Sequence, residues 1–265
     1  MDAISNLFAY LTPGAFLYFD LLAAFTNALN GAIICQRPDY YQGRYITMVG
    51  ILVFALFGGL GGSITRDVLL NEQPASLTNP WYIILAIAAG MIGMLTAWRK
   101  SQRFRETYHQ IMISFSLPWY AVVGVESGLQ AEWPLLGAIL LGVVAATAGG
   151  FLISVTVGNP AKMFMQGEWF IGTAVVTSVS FFFFRAGAYG GPGLSLSLVA
   201  AALVAFAIGF SFRLAAIWFL WEEPMPPRIP AWLLEGQPER ESLNKKIQPG
   251  WIPPWERPEK QEQNQ

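Results

Sequence analysis

Seven apolar stretches alternate with short polar segments along the first 221 residues of the chain. They run over Ala15–Ile34, Tyr45–Leu70, Trp81–Trp98, Ile111–Leu129, Leu135–Val157, Trp169–Phe184 and Leu194–Trp221. Each approaches the roughly 20 residues that a helix needs to cross a hydrocarbon core about 30 Å thick. The pattern predicts an all-α integral membrane protein with seven transmembrane helices.

Charged side chains are scarce in this sequence. They make up 12% of the 265 residues, against 54% hydrophobic residues, whereas a soluble domain carries roughly 25% charged residues. Much of the surface is therefore expected to face membrane lipid. The net charge of −1 gives no basic field for nucleic acid. A single cysteine, Cys35, and a single histidine, His109, exclude a disulfide framework and a metal centre built on thiolates or several histidines.

Basic residues in the loops concentrate on one side of the predicted membrane. That side carries Arg37, Arg44, Arg99, Lys100, Arg103, Arg105, Lys162 and all six basic residues of the tail between positions 228 and 260. The opposite side carries Arg185 alone. Because basic residues accumulate in cytoplasmic loops, we predict a multi-pass protein of the inner or plasma membrane. Its N-terminus is expected outside and its C-terminus in the cytoplasm.

A spacing repeats between the two halves of the membrane part. Gly61 precedes Trp81 by 20 positions, and Gly149 precedes Trp169 by 20 positions. Helices 1–3 therefore resemble helices 4–6, and two three-helix units in series enter the membrane from opposite sides, as inverted repeats do. The alternative is chance similarity among glycine-rich apolar helices. We predict a first repeat over residues 1–110, an inverted second repeat over 111–190, an accessory seventh helix over 191–221 and a proline-rich cytoplasmic tail over 222–265.

Glycines crowd the second stretch just before a charged pair. Those at positions 58, 59, 61 and 62 each lower helix stability by about 1 kcal/mol relative to alanine. We predict that helix 2 is broken there, and helix 5 at Gly149 and Gly150, with backbone carbonyls facing a cavity. The alternative is close helix packing, since Gly58 and Gly62 form a GxxxG pattern.

Arg66 and Asp67 lie near the end of the second stretch. Charges at that depth are costly and usually face a bundle interior or an aqueous path. Adjacent residues point about 100° apart on a helix, so we expect these two not to pair with each other and at least one to find a partner elsewhere. Alternatively, both cap the helix in the lipid headgroups. Asp20 is either a pore-mouth charge or an outer-leaflet residue, Glu126 is expected at the interface, and Arg213 is expected to reach the cytoplasmic headgroups.

At these residues the sequence resembles the trimeric intracellular cation (TRIC) channel family. The resemblance covers about residues 10–221 and rests on the segments FDLLAAFTNALNGAI and GGLGGSITRDVLL, the latter followed by a proline. The family's signature, Gly-Gly-Gly-x-x-Arg-Asp, is matched in helix 2 at Gly61, Gly62, Ser63, Arg66 and Asp67. The second copy, in helix 5, is matched at Ala148, Gly149 and Gly150, with Ile153 and Ser154 in place of arginine and aspartate.

The resemblance implies a homotrimer with one potassium-permeable path through each protomer, lined by kinked helices 2 and 5. The residues expected along that path are Asp20, Gly61, Gly62, Ser63, Arg66, Asp67, Gly149, Gly150 and Ser154. A second interpretation is a secondary transporter of glycine or another small amino acid, with Arg66 holding the carboxylate. A third is a membrane scaffold without transport. We expect no cofactor, no metal and no enzymatic activity, because no nucleophile–base pair, metal cluster or phosphate-binding loop is visible.

Overall fold

The computed structural model describes residues 14–36, 46–98, 102–157, 169–219 and 221. Long helices occupy most of these ranges, in the order α1 (Gly14–Ile34), α2 (Met48–Leu69), α3 (Pro80–Trp98), α4 (Gln102–Gln130), α5 (Leu135–Val157), α6 (Phe170–Arg185) and α7 (Leu198–Trp218). A short helical turn, Ala75–Thr78, follows α2, and a 3-10 turn, Ala186–Tyr189, follows α6. The predicted tail over residues 222–265 lies outside the described residues.

Five of these helices are long and apolar enough to cross a membrane: α1, α2, α5, α6 and α7. Helix α3 is apolar over the shorter range Pro80–Thr96. Helix α4 has 29 residues and begins with the polar segment QRFRETYHQ, so its length of about 44 Å exceeds the hydrocarbon thickness. The all-α, multi-pass membrane class is confirmed, and the count of seven spans stays a prediction.

The helices pack as two groups. Helices α1, α2 and α3 contact one another around one apolar core, and α4, α5 and α6 contact one another around a second core that α7 also covers. Across the groups, α1 packs against α4 and α2 packs against α5. These matched contacts are what a pair of related three-helix units produces. The repeat boundaries at residues 110 and 190 stay predictions.

Glycines bring α2 and α5 into backbone contact. A Cβ atom added to Gly61 would lie 3.0 Å from the Cα of Gly149, and one added to Gly149 would lie 2.6 Å from the carbonyl oxygen of Gly58. A Cβ on Gly62 would collide with the carbonyl oxygen of Ala145. In these contacts the residue numbers increase along α2 while they decrease along α5, so the two helices run antiparallel. The packing interpretation of these glycines is confirmed.

The helix breaks predicted at the glycines are not observed. Helix α2 is continuous from Met48 to Leu69, and α5 is continuous from Leu135 to Val157. The reason is the same close approach, because the space beside each glycine holds a neighbouring helix. The chain leaves helical geometry only after Leu69, where Asn71 adopts a left-handed φ of 57°.

Candidate functional site: a buried charge cluster at the end of helix α2

The last two turns of α2 place Arg66 and Asp67 inside the bundle, where both are only 3% exposed. Arg66 Nη1 donates to Asp20 Oδ2 on α1 at 3.0 Å, and Arg66 Nε donates to Asp67 Oδ1 at 2.7 Å. The headgroup-capping alternative therefore does not describe these residues. The expected partner elsewhere in the chain is Asp20, and its outer-leaflet alternative fails because Asp20 is buried as well.

The expectation that Arg66 and Asp67 do not pair is wrong. The 100° separation applies to the directions of the Cβ atoms, whereas the arginine side chain is long enough to turn its guanidinium back toward the next residue. Asp20 holds the far end of that guanidinium. A planar group with several N–H donors serves two carboxylates at once, which explains the double ion pair.

Asp20 receives a second donor from α3. Tyr82 Oη donates to Asp20 Oδ2 at 2.8 Å, so this one oxygen accepts from both Tyr82 and Arg66. The other oxygen, Asp20 Oδ1, is buried and has no hydrogen-bond partner among the described residues. In formal charge, two carboxylates and one guanidinium leave the cluster with a net charge of −1. Charged side chains inside membrane-spanning helices are rare, which makes this cluster the candidate functional site.

Asp67 also fixes the chain that follows α2. Its Oδ2 accepts from the backbone N–H of Ala75 at 2.8 Å, and its own carbonyl oxygen accepts from the backbone N–H of Glu72 at 2.9 Å. The loop between α2 and the turn Ala75–Thr78 is thereby tied to the cluster. Asp67 thus has a positioning role in addition to its ion pair.

Ser63 and Ser154, the two serines predicted along the path, bond within their own helices. Ser63 Oγ donates to the carbonyl oxygen of Leu60 at 3.0 Å, and Ser154 Oγ donates to that of Gly150 at 3.0 Å. Because α2 and α5 are antiparallel, Ser154 lies at the opposite end of this helix pair from Arg66. The structure therefore gathers Asp20, Arg66 and Asp67 into one site, and leaves Ser154 apart from it.

Two tyrosines of the site were not predicted from the sequence. Tyr82 contacts Asp20, and Tyr120 of α4 donates its hydroxyl to the carbonyl oxygen of Gly59. Both are nearly completely buried, at 1% and 0% exposure. The sequence does carry a signal for them, because each is a tyrosine inside an apolar stretch. A buried tyrosine hydroxyl usually has a hydrogen-bond partner, so a polar contact at each position could have been expected.

A second charged group joins the ends of α4 and α6. Arg185 Nε and Nη2 donate to the two carboxylate oxygens of Glu126 at 3.3 Å, and Tyr189 Oη donates to Glu126 Oε1 at 2.7 Å. Glu126 is only 1% exposed, so it does not reach water, and its expected interfacial depth near the end of α4 stays a prediction. The partners that permit its burial come from the α6–α7 connection, where Arg185 Nη1 also donates to the carbonyl oxygen of Leu196.

Arg213 does not extend to the headgroups as expected. It is 1% exposed, donates to Gln110 Oε1 at 3.3 Å and lies over the ring of Phe170 at 5.9 Å. Gln110, at the polar beginning of α4, accepts a hydrogen bond from Arg213 inside the protein. The arginine side chain therefore stays buried.

The profile of the glycine transporter family matches residues 17–98 and 110–186, a range that contains the whole charge cluster. The chain belongs to this family. Among similar family relatives, the UPF0126 inner membrane protein YadS of Escherichia coli K12 is 24% identical over 207 residues, which are 77% of this chain and 92% of YadS. A UPF0126 membrane protein of Streptomyces coelicolor is 33% identical over 81 residues, which are 30% of this chain and 35% of that relative.

The fold of this family member is that of the TRIC channels. The solved TRIC trimeric intracellular cation channel orthologue of Rhodobacter sphaeroides superposes with a TM-score of 0.65 at 24% identity. The superposition covers 78% of this chain and 98% of that channel. The resemblance inferred from the glycine and Arg-Asp motif is thereby confirmed at the level of the fold.

Proposed function

We propose that the protein is a cation channel whose conduction path passes the cluster of Asp20, Arg66 and Asp67. The observation that carries this proposal is the buried Asp20 Oδ1, which accepts no hydrogen bond from any described residue, in a cluster of net formal charge −1. A carboxylate oxygen in a low-dielectric surrounding attracts cations and repels anions. The Rhodobacter sphaeroides protein of the same fold is a cation channel, which supports the same assignment here.

Arg66 sets the strength of this attraction. At an effective dielectric near 20, a unit charge about 6 Å from a passing cation changes the energy of that cation by roughly 3 kcal/mol. Two carboxylates without the guanidinium would bind a cation tightly, whereas conduction requires that the ion also leave. One arginine between two aspartates leaves a single uncompensated negative charge, which suits the passage of a monovalent ion.

The glycine-transporter interpretation rests on the family's description and on Arg66 as a carboxylate anchor. The geometry is less favourable to it, because Arg66 already donates to Asp20 and Asp67, and a substrate carboxylate would have to displace one of them. Proteoliposomes separate the two interpretations. A channel predicts potassium flux without saturable uptake of radiolabelled glycine, whereas glycine uptake without potassium flux would favour the transporter.

We expect a homotrimer with one potassium-permeable path in each protomer. The trimer is supported by the trimeric channel of the same fold. Mass photometry of the purified protein in mild detergent should therefore give a protein mass about three times 29.2 kDa. A stable species at the mass of one chain under the same conditions would contradict the assembly.

We expect the chain to lie in the inner membrane with its N-terminus outside and its C-terminus in the cytoplasm. The wild-type cysteine, Cys35, is buried, so it gives little background in a cysteine-accessibility experiment. In intact cells, an impermeant maleimide should label Ala131→Cys, which lies in the exposed turn between α4 and α5, and should not label Lys245→Cys. Labelling of position 245 from outside would contradict this orientation.

A further inference from the structure

A separate, uncharged polar group lies between α1 and α4. Ser116 Oγ donates to Asn27 Oδ1 at 2.7 Å, and Asn30 Nδ2 donates to Ser116 Oγ at 3.5 Å. Asn30 and Ser116 are 6% and 1% exposed. Three uncharged polar side chains from two helices thus form a continuous hydrogen-bonded chain inside the membrane part.

The directions of these hydrogen bonds leave one acceptor oxygen of the group without a donor. The hydroxyl of Ser116 donates to Asn27 Oδ1 at 2.7 Å, with the carbonyl oxygen of Ile113 as a more distant acceptor at 3.4 Å, and the amide of Asn30 faces Ser116 with its N–H. Asn30 Oδ1 therefore points away from the chain, is buried, and has no hydrogen-bond partner among the described residues. A buried amide oxygen without a donor costs roughly 1–3 kcal/mol, a cost that a bound water or a bound cation at this position would offset.

This group continues the polar face of α1 that begins at Asp20. Seven residues separate Asp20 from Asn27 and ten separate it from Asn30, so the three lie within about 80° of one another around the helix. Along the axis, Asn27 and Asn30 lie about 10 and 15 Å from Asp20. The same face meets α2, since a Cβ atom added to Gly58 would lie 2.6 Å from the carbonyl oxygen of Asn27.

Helix α4 supplies the opposite side of the same region. Tyr120 follows Ser116 by one helical turn and donates to the carbonyl oxygen of Gly59. Along α1 from Asp20 to Asn30, the polar contacts therefore follow one another as the carboxylate cluster, the Tyr120–Gly59 pair and the Asn27–Ser116–Asn30 chain. All of them lie where α1, α2 and α4 meet.

We propose that Asn30 Oδ1, in an amide that Ser116 and Asn27 hold in its orientation, is a second resting site for a partly dehydrated monovalent cation. This inference rests on the proposed channel function and names a residue set that the carboxylate cluster does not include. Amide and hydroxyl oxygens are hard ligands of the kind that alkali cations accept. Because the amide is uncharged, it offers little compensation for dehydrating a divalent ion, and it holds a monovalent ion weakly enough for the ion to leave.

The test is the potassium dependence of conductance for the full chain in planar bilayers. Removing the oxygen ligand, as in Asn30→Leu, or the hydroxyl that orients it, as in Ser116→Ala, should raise the half-saturating KCl concentration by about fivefold. The matched control is Ser114→Ala, two residues away on α4, because Ser114 is equally buried and, among the described residues, donates to the carbonyl oxygen of Gln110 within its own helix. That control should keep the wild-type half-saturation.

Asn30→Asp adds a charge at the same place and should have the opposite effect. It should lower the half-saturating KCl concentration and introduce block by millimolar Mg²⁺ that the wild type lacks. If Asn30→Leu does not assemble, Ser116→Ala and Asn30→Asp decide the question.

Unchanged half-saturation in the Asn30 and Ser116 variants, without Mg²⁺ block in Asn30→Asp, would overturn this inference. The chain would then be only a hydrogen-bonded clamp between helices, which lowers stability when removed and leaves ion binding unchanged. That outcome differs from failure of the proposed function, in which the wild type itself conducts no potassium and both proposals fall.

Discussion

Arg66→Ala is expected to destabilise the protein by about 3–5 kcal/mol, because it leaves two buried carboxylates without their shared cation. Asp20 and Asp67 are almost fully buried and both pair with this guanidinium. The protein that still folds should bind potassium more tightly and conduct less, since the net formal charge of the cluster falls from −1 to −2. Thermal unfolding in detergent measures the first effect, and bilayer conductance measures the second.

Two further variants separate charge from structure. The double variant Arg66→Ala with Asp20→Asn returns the cluster to a net charge of −1, so it should recover part of both the stability and the conductance. Arg185→Ala removes the arginine of the other buried pair, with Glu126, and should lower stability while leaving ion selectivity unchanged. If Arg66→Ala keeps the wild-type stability and conductance, Arg66 contributes neither to the stability of the fold nor to conduction.

Gly149→Ala is expected to destabilise the contact between α2 and α5. The added Cβ would lie 2.6 Å from the carbonyl oxygen of Gly58 and 3.2 Å from that of Phe57, and both are backbone atoms that cannot rotate away. Overpacking of this kind costs about 1–3 kcal/mol. It outweighs the gain of about 1 kcal/mol in helix propensity that alanine brings. Thermal unfolding and the yield of assembled protein should both fall.

Gly137→Ala in the same helix is the matched control. Its nearest neighbour would be the Trp133 side chain at 3.3 Å, with the ring of Pro134 further away, so the methyl group has room after a small adjustment. This variant should unfold at or slightly above the wild-type temperature. Equal stability of the Gly149 and Gly137 variants would show that the close approach of α2 and α5 is not needed for the fold.

The class of the protein could be predicted from the sequence because it depends on composition and length. Runs of about 20 apolar residues with few charges specify membrane helices irrespective of their neighbours. The glycine spacing and the pair Arg66-Asp67 were likewise local features, and they indicated the family. The glycines alone left two outcomes open, a broken helix or a close contact, and only the position of α5 decided between them.

The partners of the charged residues could not be predicted in the same way. Asp20 and Arg66 are 46 positions apart, and Glu126 and Arg185 are 59 positions apart, so each pair depends on how the helices pack. Glu126 and Arg213 were assigned to the interface because a lone charge near a helix end ordinarily reaches water. Their burial depends on Tyr189 and Gln110, whose proximity is a property of the tertiary structure.

The most direct test of the central claim is the reversal potential of the purified wild-type protein in a planar bilayer with a tenfold KCl gradient. Cation conduction past the net negative cluster predicts a current that reverses close to the potassium equilibrium potential, about 59 mV from zero. Adding glycine to one side should leave that potential unchanged. Absence of current with saturable glycine uptake in the same preparation, or reversal at the chloride potential, would contradict the account.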